Sequence, residues 1–213
     1  MSEGADGSTV DRSAHEWDES YRRDAPPPWD IGRPQPMFLE LSEQGRFDGR
    51  LLDAGCGTGE HTLLAAAKGA DAFGVDLSST AIDTARAKAA ARGIAARFEA
   101  GDLLTIELPR SGFDTVLDSG VFHVFDDDAR ARYVDVLAGT LRPGGHLYLM
   151  CFSDRQPGDW GPRRVTEAEL RDAFATGWEI ERLERALFDI NPIPEASDVQ
   201  AWLLAARRTS PGG

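Results

Sequence analysis

Residues 51–59, Leu-Leu-Asp-Ala-Gly-Cys-Gly-Thr-Gly, constrain the fold more than any other stretch of this 213-residue chain. An apolar run ends in an acid, Asp53, and three glycines, Gly55, Gly57 and Gly59, then turn the chain toward a helical run from His61 to Lys68. A strand that turns through glycines into a helix lets a ligand lie against bare backbone, as in nucleoside-binding βα units. The spacing also separates cofactors. The dinucleotide fingerprint G-x-G-x-x-G holds a pyrophosphate at the helix N-terminus, whereas here the third glycine comes one residue early and Glu60 follows it. An acid there opposes a phosphate, and Asp53 adds negative charge suited to a ligand bearing an ammonium and a sulfonium.

Two more acids follow apolar runs. Asp76 closes Ala72-Phe-Gly-Val and stands 23 residues after Asp53, where a second-strand acid accepts from two ribose hydroxyls. Asp102 closes the run from Ala96, placed to accept from the exocyclic amine of adenine, with Leu103 next to cover the ring. A single Asp after a strand commonly caps a helix or a turn. Three of them at the ends of successive strands argue for a binding site.

With these residues in place the chain resembles the class I S-adenosylmethionine-dependent methyltransferases, whose D-x-G-x-G-x-G turn and second- and third-strand acids match Asp53 to Gly59, Asp76 and Asp102. The likeness spans about residues 45–208. It implies S-adenosyl-L-methionine as cofactor and S-adenosyl-L-homocysteine as product, with Leu77, Asp118 and Ser119 also beside the cofactor. It further implies an α/β fold: a doubly wound, Rossmann-like, seven-stranded and mostly parallel sheet with helices on both faces. The strand order implied is 3-2-1-4-5-7-6, with the last strand antiparallel.

The local pattern agrees with a parallel, doubly wound sheet, because strands near 50–54, 72–76, 96–101, 113–118 and 145–152 alternate with helices near 60–68, 79–92 and 127–140. Leu141-Arg-Pro-Gly-Gly145 reads as a helix stop that launches a strand. Thr166-Glu-Ala-Glu169 reads as a capping box opening a helix to about 176, followed by strands over 178–190 and 201–208. Residues 1–10 read as a disordered tail, 11–44 as an N-terminal lid and substrate segment, 45–208 as the catalytic domain and 209–213 as a frayed end. Trp17 and Tyr21, four residues apart, share one face of a helix expected over 11–24, and the prolines between 26 and 36 enforce a stiff, extended stretch before a helix over 37–44.

Ligands of such sheets lie beyond the carboxyl ends of the strands, so Asp118-Ser-Gly-Val-Phe-His123 is expected to face the transferable methyl group. The stretch lacks the proline-proline-aromatic motif of family members that methylate nucleobases. His123 is the candidate base for an incoming hydroxyl or thiol, and Phe122, with His61 nearby, a candidate contact. Pro28-Trp-Asp-Ile-Gly is similar to an element of thiol, halide and thiopurine methyltransferases and of actinobacterial enzymes acting on heteroaromatic or phenolic compounds. That likeness places Trp29 at the cofactor's methionine end and carries Tyr21 and Gln35 to the same site, while the concentration of Trp17, Tyr21 and Trp29 in this segment suits a lid that borders the substrate. Asp126-Asp-Asp128 is a helix start and not a metal cluster, since consecutive side chains point in different directions.

A net charge of −13 argues against a nucleic-acid substrate. The two cysteines form no disulfide or metal spacing and fit a reducing cytoplasm, and no apolar run approaches a membrane span. The expected activity is therefore in-line methyl transfer to a small, apolar or aromatic molecule at a sulfur, oxygen or nitrogen acceptor. Three alternatives stay open: a nicotinamide-dependent oxidoreductase, a protein that binds S-adenosylmethionine without catalysis, and an enzyme that uses the cofactor for something other than methyl transfer. Oligomeric state is not legible.

Overall fold

The computed structural model describes residues 13–194 and 196–210. Seven strands form one sheet: β1 (Arg50–Ala54), β2 (Asp71–Asp76), β3 (Arg97–Ala100), β4 (Phe113–Ser119), β5 (Leu141–Phe152), β6 (Trp178–Ile193) and β7 (Ala196–Arg208). Their order is 3-2-1-4-5-7-6; β1 to β5 are mutually parallel, and β7 runs antiparallel to both β5 and β6. The helices are α1 (Ala14–Tyr21), α2 (Pro36–Glu43), α3 (Glu60–Ala67), α4 (Ser79–Arg92), α5 (Asp127–Thr140) and α6 (Glu167–Ala173), with a short 3-10 turn over Phe122–Val124.

Side chains of a strand point alternately to its two faces, and here both faces are dry. Leu52, Val116, Leu147, Leu149 and Leu204 pack with Tyr133 and Leu137 of α5. Their neighbours Leu51, Leu117, Tyr148, Met150 and Leu203 pack on the opposite face with Phe38 of α2. The near-continuous apolar strands are thus the signature of a sheet covered on both sides.

Several boundaries differ from those the sequence predicts. Helix α1 is shorter than 11–24 within the described residues; Ser13 caps it through a capping box with Glu16. Helix α6 ends at Ala173, short of 176. Strand β5 begins at Leu141 and not 145, because Leu141 pairs with Phe113 across a register shift before Thr115 meets His146. The β6–β7 hairpin is longer than expected at its turn, since Asp189 pairs with Asp198 and Ile193 with Ala196 across a register shift that apolar alternation does not reveal. Thr166 and Glu169 do form the capping box, and Asp126 caps α5 by accepting from the Ala129 amide at 2.8 Å. The expected tail over 1–10 lies outside the described residues, as do residues 211–213; the Thr209 amide donates to the Gly177 carbonyl. Among the described residues no helix is long and apolar enough to cross a membrane.

Candidate functional site

The glycine turn occupies the carboxyl end of β1, with Gly55 and Cys56 donating their amides to the Val75 carbonyl of β2 at 2.8 and 2.9 Å. Two of its glycines leave no room for a side chain. A Cβ on Gly55 would lie 2.0 Å from Val121, and one on Gly59, at φ +87°, would lie 2.8 Å from Ala85 and 2.9 Å from Phe98. The third glycine therefore lets α3 start hard against α4 and β3.

Three acids surround this turn. Asp53 is fully buried; its Oδ2 accepts from the Thr62 amide and hydroxyl at 3.0 and 2.6 Å, while its Oδ1 is buried with no partner among the described residues. Burial lifts its pKa to about 6 against the pull of the Thr62 bonds. Asp76 accepts from the Gly57 amide at 2.8 Å with Oδ2 and from the Ser78 amide at 2.9 Å with Oδ1, which leaves about half of a carboxylate's roughly four lone-pair sites open. Leu77 beside it is half-buried. Asp102, also half-buried, accepts from the Leu104 amide at 2.9 Å, and Leu103 is packed into the main core with 7 % of its surface exposed, an edge and not a face.

Two expected site residues point elsewhere. Asp118 is wholly buried and accepts from the Val121 amide (2.7 Å), the Phe122 amide (3.0 Å) and the Tyr133 hydroxyl (3.0 Å), so its carboxylate shapes the loop after β4 and does not reach a cofactor. Burial pushes its pKa up to about 7. Phe122 is equally buried, 5.8 Å from the Phe174 ring and under the Arg130 guanidinium, and so belongs to the core and not to a substrate pocket. Ser119 stays half-buried at the end of β4. Glu60 does not stand as a free charge either: Lys88 and Arg92 of α4 pair with it at 2.9 and 2.8 Å.

The N-terminal segment folds over the turn. Asp18 of α1 accepts from Ser78 Oγ (2.7 Å) and the Thr80 amide (2.9 Å) at the start of α4, and Arg22 pairs with it at 2.6 Å. Trp29 Nε1 donates to the Tyr21 hydroxyl at 2.9 Å, which lies 3.0 Å from where a Cβ on Gly57 would stand; Trp17 meets the Trp29 ring edge-on at 5.6 Å. Thr58 Oγ1 donates to Asp30 at 2.7 Å, and the Gln35 amide donates to Nε2 of His61, which burial keeps neutral with a pKa near about 4. Gln35 then reaches β6, donating to the Asp189 carbonyl and accepting from its amide, both at 2.9 Å. Asn191 completes the strap by donating to the Pro27 and Asp30 carbonyls at 3.0 and 2.8 Å. Asp18 and Asn191 carry no motif that marks them in the sequence.

His123 stands on the far side of the crevice, 6 % exposed, between Phe152 of β5 and Phe188 of β6. Trp160 in the loop after β5 lies edge-on to Phe152 at 6.0 Å. Among the described residues no cluster of three His, Cys, Asp or Glu is arranged to hold a metal ion.

A glycine turn ringed by acids and flanked by a wall of aromatic rings has close counterparts. The family described as "Methyltransferase domain" matches residues 51–145. The 2-heptyl-1-hydroxyquinolin-4(1H)-one methyltransferase of Mycobacteroides abscessus is 35 % identical over 179 residues, covering 80 % of this chain and 79 % of the relative. The chain belongs to the S-adenosylmethionine-dependent methyltransferases. This methyltransferase is also 30 % identical to a probable thiol methyltransferase 2 of Arabidopsis thaliana over 75 % of its own length and 71 % of the relative's. Its structure superposes with a TM-score of 0.82 and 39 % identity on one described as "Conversion of a Disulfide Bond into a Thioacetal Group during Echinomycin Biosynthesis", covering 92 % and 93 % of the two chains. A 1,6-didemethyltoxoflavin-N1-methyltransferase of Burkholderia thailandensis, solved with 1,6-didemethyltoxoflavin and S-adenosylhomocysteine, matches with a TM-score of 0.65 and 26 % identity over 81 % and 76 %. The membership replaces the nicotinamide alternative.

The residues present fit S-adenosylmethionine as cofactor. The orphaned Oδ1 of Asp53 is a buried acceptor in want of a donor, and a ligand ammonium would supply one. After burial, the nearby Asp76 carboxylate also raises the Asp53 pKa, so a cation is favoured beside Asp53. When bound, the cofactor supplies an electrophilic methyl group on a sulfonium; the chain's own contribution is alignment and exclusion of water.

Proposed function

We propose that this methyltransferase acts on a small aromatic molecule and transfers the methyl group to a sulfur or oxygen atom held against the rings of Phe152 and Phe188. The observation that carries the reading is the aromatic wall of Phe152, Phe188 and Trp160 beside His123, toward the carboxyl ends of β5 and β6. The printed activities of the relatives, on a hydroxyquinolinone and on thiols, support the same chemistry.

In this reading Asp53, Gly55, Gly57, Gly59, Asp76, Leu77 and Asp102 hold the cofactor, with Ser119 near the methyl group. Trp29 borders its methionine end, and Trp17, Tyr21, Trp29 and His123 border the acceptor. Residues 13–35 act as a lid, since the strap that they form ties the glycine turn to β6. Two buried free cysteines, Cys56 and Cys151, suit a reducing cytoplasm. The net charge of −13 disfavours nucleic-acid partners.

Incubation with S-adenosylmethionine and a panel of thiols, iodide, phenols and hydroxyquinolones, followed by mass spectrometry, tests the proposal. Methylated aromatic product together with S-adenosylhomocysteine is expected. Turnover confined to aliphatic amines would sink it.

A further inference from the structure

His123 has one nitrogen committed. Its Nδ1 accepts a hydrogen bond from the Phe152 amide at 2.9 Å. An amide has only a hydrogen to give, so Nδ1 carries a lone pair and the neutral ring bears its hydrogen on Nε2. Nε2 has no hydrogen-bond partner among the described residues. It faces Gly120: a Cβ there would lie 3.5 Å from Nε2, 3.3 Å from Cε1 and 4.0 Å from the tip of Phe188. Because glycine leaves that volume clear, the ring's edge borders space at the end of β4.

The surroundings oppose a second proton. Phe152 and Phe188 flank the ring at 4.9 and 6.3 Å. The charged or titratable neighbours are Arg130 of α5, whose guanidinium stands over Phe122, Asp118 of β4, which is tied to the Val121 and Phe122 amides, and the Cys151 thiol of β5, which burial keeps protonated; Phe188 of β6 brings no charge. Burial first, and then Arg130, depress the His123 pKa to about 3. Protonating Nδ1 would also break a buried backbone bond and set two N–H groups face to face. The expectation that His123 serves as general base therefore gives way: its one lone pair is already spent.

We infer that His123 donates its Nε2–H to an acceptor that enters the site already ionised, so that the pocket selects thiols and acidic hydroxyls carried on flat aromatic frameworks over ordinary phenols and amines. This rests on the proposal of an aromatic acceptor. An anion moved between aromatic rings is pressed to take up a proton, and a fixed neutral donor counters that pressure without itself being consumed. In the step that follows, a lone pair of the anionic oxygen or sulfur forms the bond to the methyl carbon as the carbon–sulfonium bond breaks, its electron pair passing to sulfur. The products are a neutral ether or thioether and S-adenosylhomocysteine. The acceptor's own proton has left to water before binding, and no group of the protein receives it.

The test is the ionisation of bound 4-nitrophenol, read from its absorbance with and without S-adenosylhomocysteine across pH 5–9. Binding should lower its apparent pKa by about one unit. His123→Gln, which keeps a donor, should retain most of the shift and His123→Phe should abolish it; a merely structural histidine would not move this spectrum. Nitrogen-15 shifts of His123 in the unaltered protein, which need no variant to fold, should show a neutral Nε2–H ring throughout. Nitrophenol bound in its protonated form, or an imidazolium appearing when it binds, overturns the role given to His123 while leaving the aromatic-acceptor proposal intact. Nitrophenol left unbound, with turnover of aliphatic amines alone, overturns both.

Discussion

The glycine-turn side of the crevice and the acceptor side differ in how far along the chain their partners lie. Asp53 meets Thr62 nine residues on, and Asp76 meets Gly57 nineteen residues back. On the acceptor side Gln35 meets Asp189 across 154 residues and Asn191 meets Pro27 across 164. Closing a long loop is entropically dearer than closing a short one, though only logarithmically so. The cofactor side is therefore set by one βα unit and its neighbour, while the acceptor side exists only when the whole sheet is assembled. Such a division lets the acceptor pocket change without disturbing the cofactor site.

Asp76→Ala should separate the two sides most sharply. Loss of both ribose hydrogen bonds is expected to weaken S-adenosylhomocysteine by on the order of 2–4 kcal/mol, about 30- to 1000-fold in Kd by titration calorimetry. An unchanged Kd would move the cofactor away from β2.

Gln35→Ala attacks the other side. It leaves the Asp189 amide and carbonyl unpaired. Denaturant unfolding should report a loss of about 1–3 kcal/mol, with KM for the acceptor raised and the Kd of S-adenosylhomocysteine nearly constant. If cofactor affinity falls in step with acceptor KM, the two sides are not independent.

Asp18→Ala gives the smallest effect, about 1 kcal/mol, comparable with the loss of a helix N-cap, since Asp18 accepts from the Thr80 amide in the first turn of α4. Its pH dependence identifies it. The Thr80 amide and Ser78 hydroxyl, and then Arg22, hold the Asp18 pKa at about 2, below its ordinary 3.8, in spite of burial. A depressed acid contributes stability in full above its unfolded pKa and loses it as pH falls through the folded one, so the contribution should fade from about pH 4 toward pH 2. Melting temperatures of the unaltered protein and the variant should converge over that window; a constant gap would assign the effect to packing.

Local and long-range partners also decide what could be read from the chain. Asp53, Asp76 and the three glycines announce themselves because they stand at fixed spacing in one βα unit and the strand that follows it. The alternation of apolar runs likewise revealed the parallel strands, since both faces of each are covered. Asp118 misled, because an acid at a strand end looks alike whether it faces a ligand or three donors of its own loop. Phe122 misled for a related reason: a 3-10 turn directs it into the core while its neighbour His123 meets the crevice edge. Glu60 reads as a free charge until Lys88 and Arg92 arrive from the next helix. Gln35 is marked only through the likeness of its proline-rich element to that of other methyltransferases, and nothing local identifies Asn191 as its companion.

Asn191 and Gln35 also impose an order in time. Residues 27–35 leave the ribosome with their cradle, Asp189 and Asn191, still some 160 residues from being translated. The strap is thus made well before the strand that seats it. Until the β6–β7 hairpin is released the nascent chain can offer a cofactor turn without a roof, and a chaperone or a passing apolar surface meets Trp17 and Trp29 before Asn191 does.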